Sequence, residues 1–274
     1  MNVLKLAMQE IRAGLRNRWV VATTLLLAAL SLSLVLLGSA PTGEVRADPL
    51  AVVVVSLASL TIFLVPLIAL LLSFDAIVGE QERGTLMLLL SYPVSRWQVV
   101  AGKALGHVCI LAIATLLGYG VAAGALAMGN EAGTLAWGAF AMMVLTSIML
   151  GAAFVSMGVL ASSLVRERAT AAGLAVGVWL VFVLLYDTAL LGILVADQGR
   201  YVTQNVLDVL LLLNPADVYR IFNMTAHDSV AVYSGLAGPG NAAPLPAGVL
   251  LAVLAAWVVA PLVLAVFAFR RRPI

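Results

Sequence analysis

Between residues 80 and 103 the chain reads Glu80-Gln81-Glu82-Arg83-Gly84-Thr85-Leu86-Met87-Leu88-Leu89-Leu90-Ser91-Tyr92-Pro93-Val94-Ser95-Arg96-Trp97-Gln98-Val99-Val100-Ala101-Gly102-Lys103. A charged cluster opens the stretch. A short helix with Leu86, Leu89 and Leu90 toward one side follows, and Pro93 ends it. Arg96 to Lys103 then leads into more apolar chain. The apolar run is too short to cross a bilayer. A short, partly apolar helix needs a surface to lie on, either a partner protein or the membrane.

On both sides of this stretch the sequence turns strongly apolar. The 274 residues are 63% hydrophobic and 10% charged, with a mean hydropathy of +1.11. Soluble domains carry roughly 25% charged residues, so this chain could not clothe itself in water. A bilayer core of about 30 Å takes about 20 apolar residues per helix. Six segments meet that length: 19–38, 50–74 with Pro66 inside, 104–128, 135–164, 169–196 and 248–269. The first has a long charged lead and no small-residue cleavage site at 38–41, so it reads as a retained anchor. The fold class expected is an all-α membrane protein in one domain, 1–274. It combines six transmembrane helices with an N-terminal amphipathic helix (1–18), a cytoplasmic segment (75–103) and an external segment (197–247).

Basic residues set the orientation. With the N-terminus inside, Lys5, Arg12, Arg16, Arg18, Arg83, Arg96, Lys103, Arg166, Arg168, Arg270, Arg271 and Arg272 face the cytoplasm. Only Arg46, Arg200 and Arg220 face out, which is twelve of the fifteen against three. Acidic residues lean outward, among them Glu44, Asp48, Glu131, Asp187, Asp197, Asp208, Asp217 and Asp228. The pI near 8.9 therefore reflects topology and not nucleic-acid binding.

At the start of the chain, Leu4, Met8, Ile11 and Leu15 share one helical face while Lys5, Gln9, Arg12 and Arg16 share another. That pattern fits a helix on the membrane surface, or a plain basic anchor for the first span. In the external segment, Val206 to Leu213 is too short to span and reads as an interfacial or re-entrant helix. Gly238-Pro239-Gly240 and Pro244-Leu245-Pro246 mark a loop after it. No internal repeat is visible, which disfavours an inverted-repeat transporter. Gly120 with Gly124, and Gly173 with Gly177, are pairs that allow close helix contact.

Chemistry-bearing groups are sparse. His107 and Cys109, the single cysteine, point to different sides of a helix and make a poor metal pair. Met224 and His227, near Asp228, carry copper-ligand chemistry or simply pack. Asp187 is the one acid well inside a predicted span, a possible intramembrane polar site. It lines a cavity or pairs with another helix, or else lies near the outer interface. Gly102-Lys103 is not a phosphate-binding loop, because Trp97 stands where a glycine is needed and Ala104 follows. Any nucleotide must be bound by another chain.

Glu82-Arg83-Gly84-Thr85-Leu86, Pro93, Ser95-Arg96 and Gly102-Lys103 resemble the ABC-2 family of ABC transporter permeases, in which Met87 is often an acid. The amphipathic start and the six-span layout extend the resemblance over nearly the whole chain. It implies a permease paired with a second copy of itself and no catalytic activity in this chain. ATP and Mg would be held by cytoplasmic ATPase subunits, with no cofactor bound here. Coupling would run through the N-terminal helix and through Glu80, Glu82, Arg83, Gly84, Thr85, Leu86, Leu89, Leu90, Pro93 and Arg96. A narrower resemblance lies in Asn214-Pro215-Ala216-Asp217-Val218-Tyr219-Arg220-Ile221-Phe222-Asn223. This run is similar to permeases that serve nitrous oxide reductase maturation. That implies a periplasmic β-helical partner, with Asn214, Asp217, Tyr219, Arg220 and Phe222 as its contact, and a role in supplying sulfur or helping copper delivery. The alternatives are an exporter of a drug, lipid or polysaccharide, and a membrane scaffold without an ATPase.

Overall fold

The computed structural model describes residues 3–38, 49–91, 93–128, 134–197, 202–225 and 245–271. Arg46, Tyr92, Arg200, His227, Asp228, Arg272 and the 238–244 loop lie outside them. Among the described residues the chain is helical, with no strand. Six helices are long and apolar enough to cross a membrane, as the apolar segments predict.

The first helix, α1 (Val3–Leu15), precedes α2 (Arg18–Gly38), the first span. Next come α3 (Pro49–Ser73), two short helices α4 (Val78–Glu82) and α5 (Thr85–Ser91), and α6 (Arg96–Met128). The third span thus starts eight residues before its apolar core, because Pro93 ends α5 and Arg96 begins a continuous helix. The fourth span is α7 (Thr134–Leu164). The fifth is α8 (Arg168–Leu180), one π-helical turn (Val181–Leu185) and α9 (Tyr186–Asp197). Two further helices, α10 (Gln204–Leu212) and α11 (Pro215–Thr225), lead to the last span, α12 (Ala247–Arg271).

The spans differ sharply in burial. In α7, 78% of the apolar window is buried, against 11% in the fifth span. Phe154, Val155 and Val159 of α7 are fully enclosed, chiefly by α3 and α12. Its hydroxyls do not interrupt this core: Ser147, Ser156 and Ser163 each donate to a carbonyl one turn back.

The first and last described residues, Val3 and Arg271, belong to helices that meet α6 at one end of the bundle. Arg96 at the start of α6 donates to the carbonyls of Phe269 and Arg270 at the end of α12, at 2.9 and 2.8 Å, and α1 packs along the same half of α6. This terminal end also holds α4, α5 and the start of α8.

Candidate functional site at the terminal end

The helix α1 is not merely a surface float. It has three faces. Leu6 and Ala7 are buried against α6, Leu4, Met8 and Leu15 are exposed apolar side chains, and Lys5, Gln9, Arg12 and Arg16 form the polar face. The close approach depends on two glycines one turn apart. A Cβ at Gly102 would stand 2.6 Å from the Leu6 Cβ, and one at Gly106 would stand 2.5 Å from the Glu10 Cβ. A Cβ added at Gly120, Gly124, Gly173 or Gly177, the pairs picked out from sequence, would meet no other part of this chain within 4 Å. Close helix contact at glycine is made instead at Gly102 and Gly106, and deeper in the bundle at Gly118, Gly151 and Gly158.

Between those glycines sits Lys103, only 3% exposed. Its ammonium donates to Glu10 of α1 at 2.5 Å and to Glu80 of α4 at 2.6 Å. A lone buried cation is costly, and two carboxylates bound through charge-assisted hydrogen bonds offset that cost. The triad ties α1, α4 and the third span into one unit. His107, one turn further along α6, is buried and neither ring nitrogen has a protein partner. Cys109 is half-buried. Among the described residues, no group of three His, Cys, Asp or Glu could hold a metal ion.

Segment 75–103 is bound to the spans by further polar contacts. The Ser162 hydroxyl of α7 accepts from the Ile77 and Val78 amides at 2.9 and 3.0 Å, satisfying two orphan donors at the start of α4. Glu82 accepts from the Arg168 amide at 2.6 Å, so a carboxylate sits at the N-terminus of α8, where the helix dipole favours it. Arg168 also pairs with Asp75 at 2.9 Å and lies over the Phe74 ring. Arg96 caps α12 and covers Phe269.

The loop between α4 and α5 turns at Gly84, whose φ of +72° suits a residue without Cβ. Thr85 donates to the Glu80 carbonyl across this turn. Leu86 is buried, and Leu89 and Leu90 pack against the core. The opposite face carries Met87 at 65% and Leu88 at 66% exposure, beside exposed Pro93 and Trp97. Glu82, Arg83 and Thr85 are exposed as well. Sequence reading missed Met87 and Leu88 because a run of five apolar residues has no polar face to set its phase. Their exposure marks an uncovered apolar patch rimmed by charge, the signature of an interaction surface.

At the far end, α11 differs from the outward-facing contact expected of it. Asn214, Asp217, Tyr219 and Phe222 are buried, packed among α3, α7, α12 and the π-helical turn. The segment that packs into the bundle is therefore Pro215–Thr225, while the apolar run before it forms α10, which buries no residue. The Tyr219 hydroxyl bonds Ser147 at 2.9 Å, thirteen residues along α7 from Thr134, or about 20 Å of helix. Nearby, Thr61 bonds Tyr119 at 2.6 Å and Asn223 donates to Thr146 at 3.0 Å. Asn214 donates to the Phe182 carbonyl within the π-helical turn. Asp187 pairs with another helix: Arg220 of α11 reaches it at 2.8 Å and also pairs with Asp217.

Six helices long and apolar enough to span, with α11 packed among them, give the architecture of a multi-pass membrane protein, and comparison with known proteins gives its class. The ABC-2 family transporter protein model matches residues 4–273, and the chain belongs to that family. It is 45% identical over 273 residues to a protein of Stutzerimonas stutzeri named "Probable ABC transporter permease protein NosY", covering 98% of each chain. It is 47% identical over 274 residues to the protein of that name from Pseudomonas aeruginosa strain PAO1, covering 99% of each.

Proposed function

We propose that this permease, with partner ATPases, serves maturation of the copper–sulfur centre of nitrous oxide reductase, by moving a sulfur species or assisting copper delivery. The end-to-end similarity to two NosY permeases supports the reading, as does the 214–223 run. The single observation that carries the coupling to ATPases is the terminal-end assembly. A partner bound at Met87 and Leu88 would act at once on α1 and the third span, through Lys103, and on the fifth span, through Glu82 and Arg168.

In this reading the protein sits in the bacterial inner membrane with both termini cytoplasmic, following its basic residues. Two copies pair. NosF-like ATPase subunits dock on the α4–α5 surface and bind ATP and Mg, and this chain binds no cofactor and catalyses nothing itself. Closure of the ATPases moves the short helices as rigid bodies. A NosD-like β-helical partner meets the outer side. With Asn214, Asp217, Tyr219 and Phe222 turned inward, that contact falls to Arg220 and to the exposed Val206, Val209 and Leu213 around α10.

The experiment is a tagged pull-down in mild detergent with mass spectrometry, paired with the absorption spectrum of the reductase from cells lacking this chain. The reading predicts an ATPase subunit in the eluate and a reductase without its copper–sulfur signature. A normal reductase spectrum in those cells would remove the maturation role and leave a permease for another cargo.

A further inference from the structure

A cavity of about 360 Å³ opens at the terminal end beside the elbow between α1 and α2. Ile68 and Leu71 of α3 and Ile110, Leu111 and Ala114 of α6 form its apolar wall. Its polar rim holds Asn17, Asp75 and Arg168. A pocket of that volume, apolar with a few convergent polar groups, has the build of a ligand site. Its position fits a lipid. Trp19, on the rim and 76% exposed, is the residue type that sits at headgroup level, while the apolar wall runs on into the spans.

We propose that this cavity binds one phospholipid with a primary-amine zwitterionic headgroup from the leaflet on the side of the termini. Its acyl chain lies along the wall from Leu71 to Ala114. The rim is electrically balanced, because Asp75 and Arg168 are already paired at 2.9 Å, and a zwitterion matches such a pair while a net anion does not. Arg168 uses one of its five N–H donors on Asp75, so others remain for the phosphate. Asn17 accepts from the Trp19 amide through its Oδ1, so its NH2 donors serve the same phosphate. The Asp75 carboxylate accepts from the lipid ammonium. The elbow, the end of α3 that feeds α4, and the start of the fifth span all line this cavity, so the lipid bridges three parts that the coupling segment would move.

The test is native mass spectrometry of the detergent-purified full chain, stripped of loosely held lipid and re-equilibrated with vesicles of equal phosphatidylethanolamine and phosphatidylglycerol. The expected result is one phosphatidylethanolamine retained per chain. Leu71→Trp, at a position 47% exposed and so tolerant of size, fills the groove. Arg168→Gln removes the phosphate partner. Each lowers retention about tenfold or more, Arg168→Gln by losing one charge-assisted contact and Leu71→Trp by occupying the space of the acyl chain. Wild-type retention in either variant, equal or preferred retention of phosphatidylglycerol, or replacement by detergent at equal occupancy would overturn the proposal. Thermal unfolding with and without added phosphatidylethanolamine separates misfolding from lost binding. A folded Leu71→Trp protein must show no lipid-induced stabilisation where the wild type shows one.

Discussion

The two ends of the molecule are bound together by different chemistry. At the terminal end the links are ionic: Glu10–Lys103–Glu80, Asp75–Arg168, and Glu82 on the α8 amide. Midway toward the far end they are hydroxyls and amides: Thr61 with Tyr119, Ser147 with Tyr219, Thr146 with Asn223. The far end's own charges, Asp187, Arg220 and Asp217, form one local cluster, with the first two a third exposed. Charge within a bilayer is expensive, so the deep network uses neutral groups. The terminal end can use ions, and ions make stiff connections. A force on α4 would therefore reach the third and fifth spans, whereas the deep network can exchange hydrogen bonds without exposing a charge.

If that contrast is right, the ends should respond unequally to substitution. Lys103→Met strands two carboxylates and should cost about 3–5 kcal/mol, read as loss of monodisperse protein on size exclusion after solubilisation. Adding Glu10→Met and Glu80→Met should restore much of it, because an apolar replacement for a buried ion triad is often neutral. Failure of the triple variant to recover would show that the triad contributes more than charge balance. Gly106→Leu should come next, at about 1–3 kcal/mol, since its Cβ meets Glu10 and forces α1 off α6. Protease sensitivity of the first fifteen residues reports that displacement. Tyr219→Phe should have the smallest effect, about 1 kcal/mol, in thermal unfolding. A Tyr219→Phe loss equal to that of Lys103→Met would erase the distinction between the ends.

Most of the fold was legible because the spans are long apolar runs. Most of their observed limits, such as Thr134–Leu164 against the expected 135–164, agree within a few residues, the start of α6 at Arg96 being the exception. What stayed hidden was phase and partnership. The run Leu86 to Leu90 is apolar all round, so only packing reveals that Met87 and Leu88 face out. Gly102 and Gly106 lie at a charged span entrance, where a lysine between them hid their role. Helix α11 is short and amphipathic, so Asp217 and Asn223 read as a solvated outer surface, whereas the fold buries them. Asp187 was visible as an anomaly, but its partner Arg220 sits 33 positions away and only the fold brings them together.

In the proposed function, the exposed face of α5 receives the ATPase. The most direct measurement is recovery of the ATPase subunit by tagged permease carrying Met87→Glu and Leu88→Glu. Both positions are about two-thirds exposed, so folding and membrane insertion should be unchanged. The account predicts a normal amount of permease and loss of most of the co-purified ATPase. Wild-type recovery of the ATPase by the double variant would contradict it.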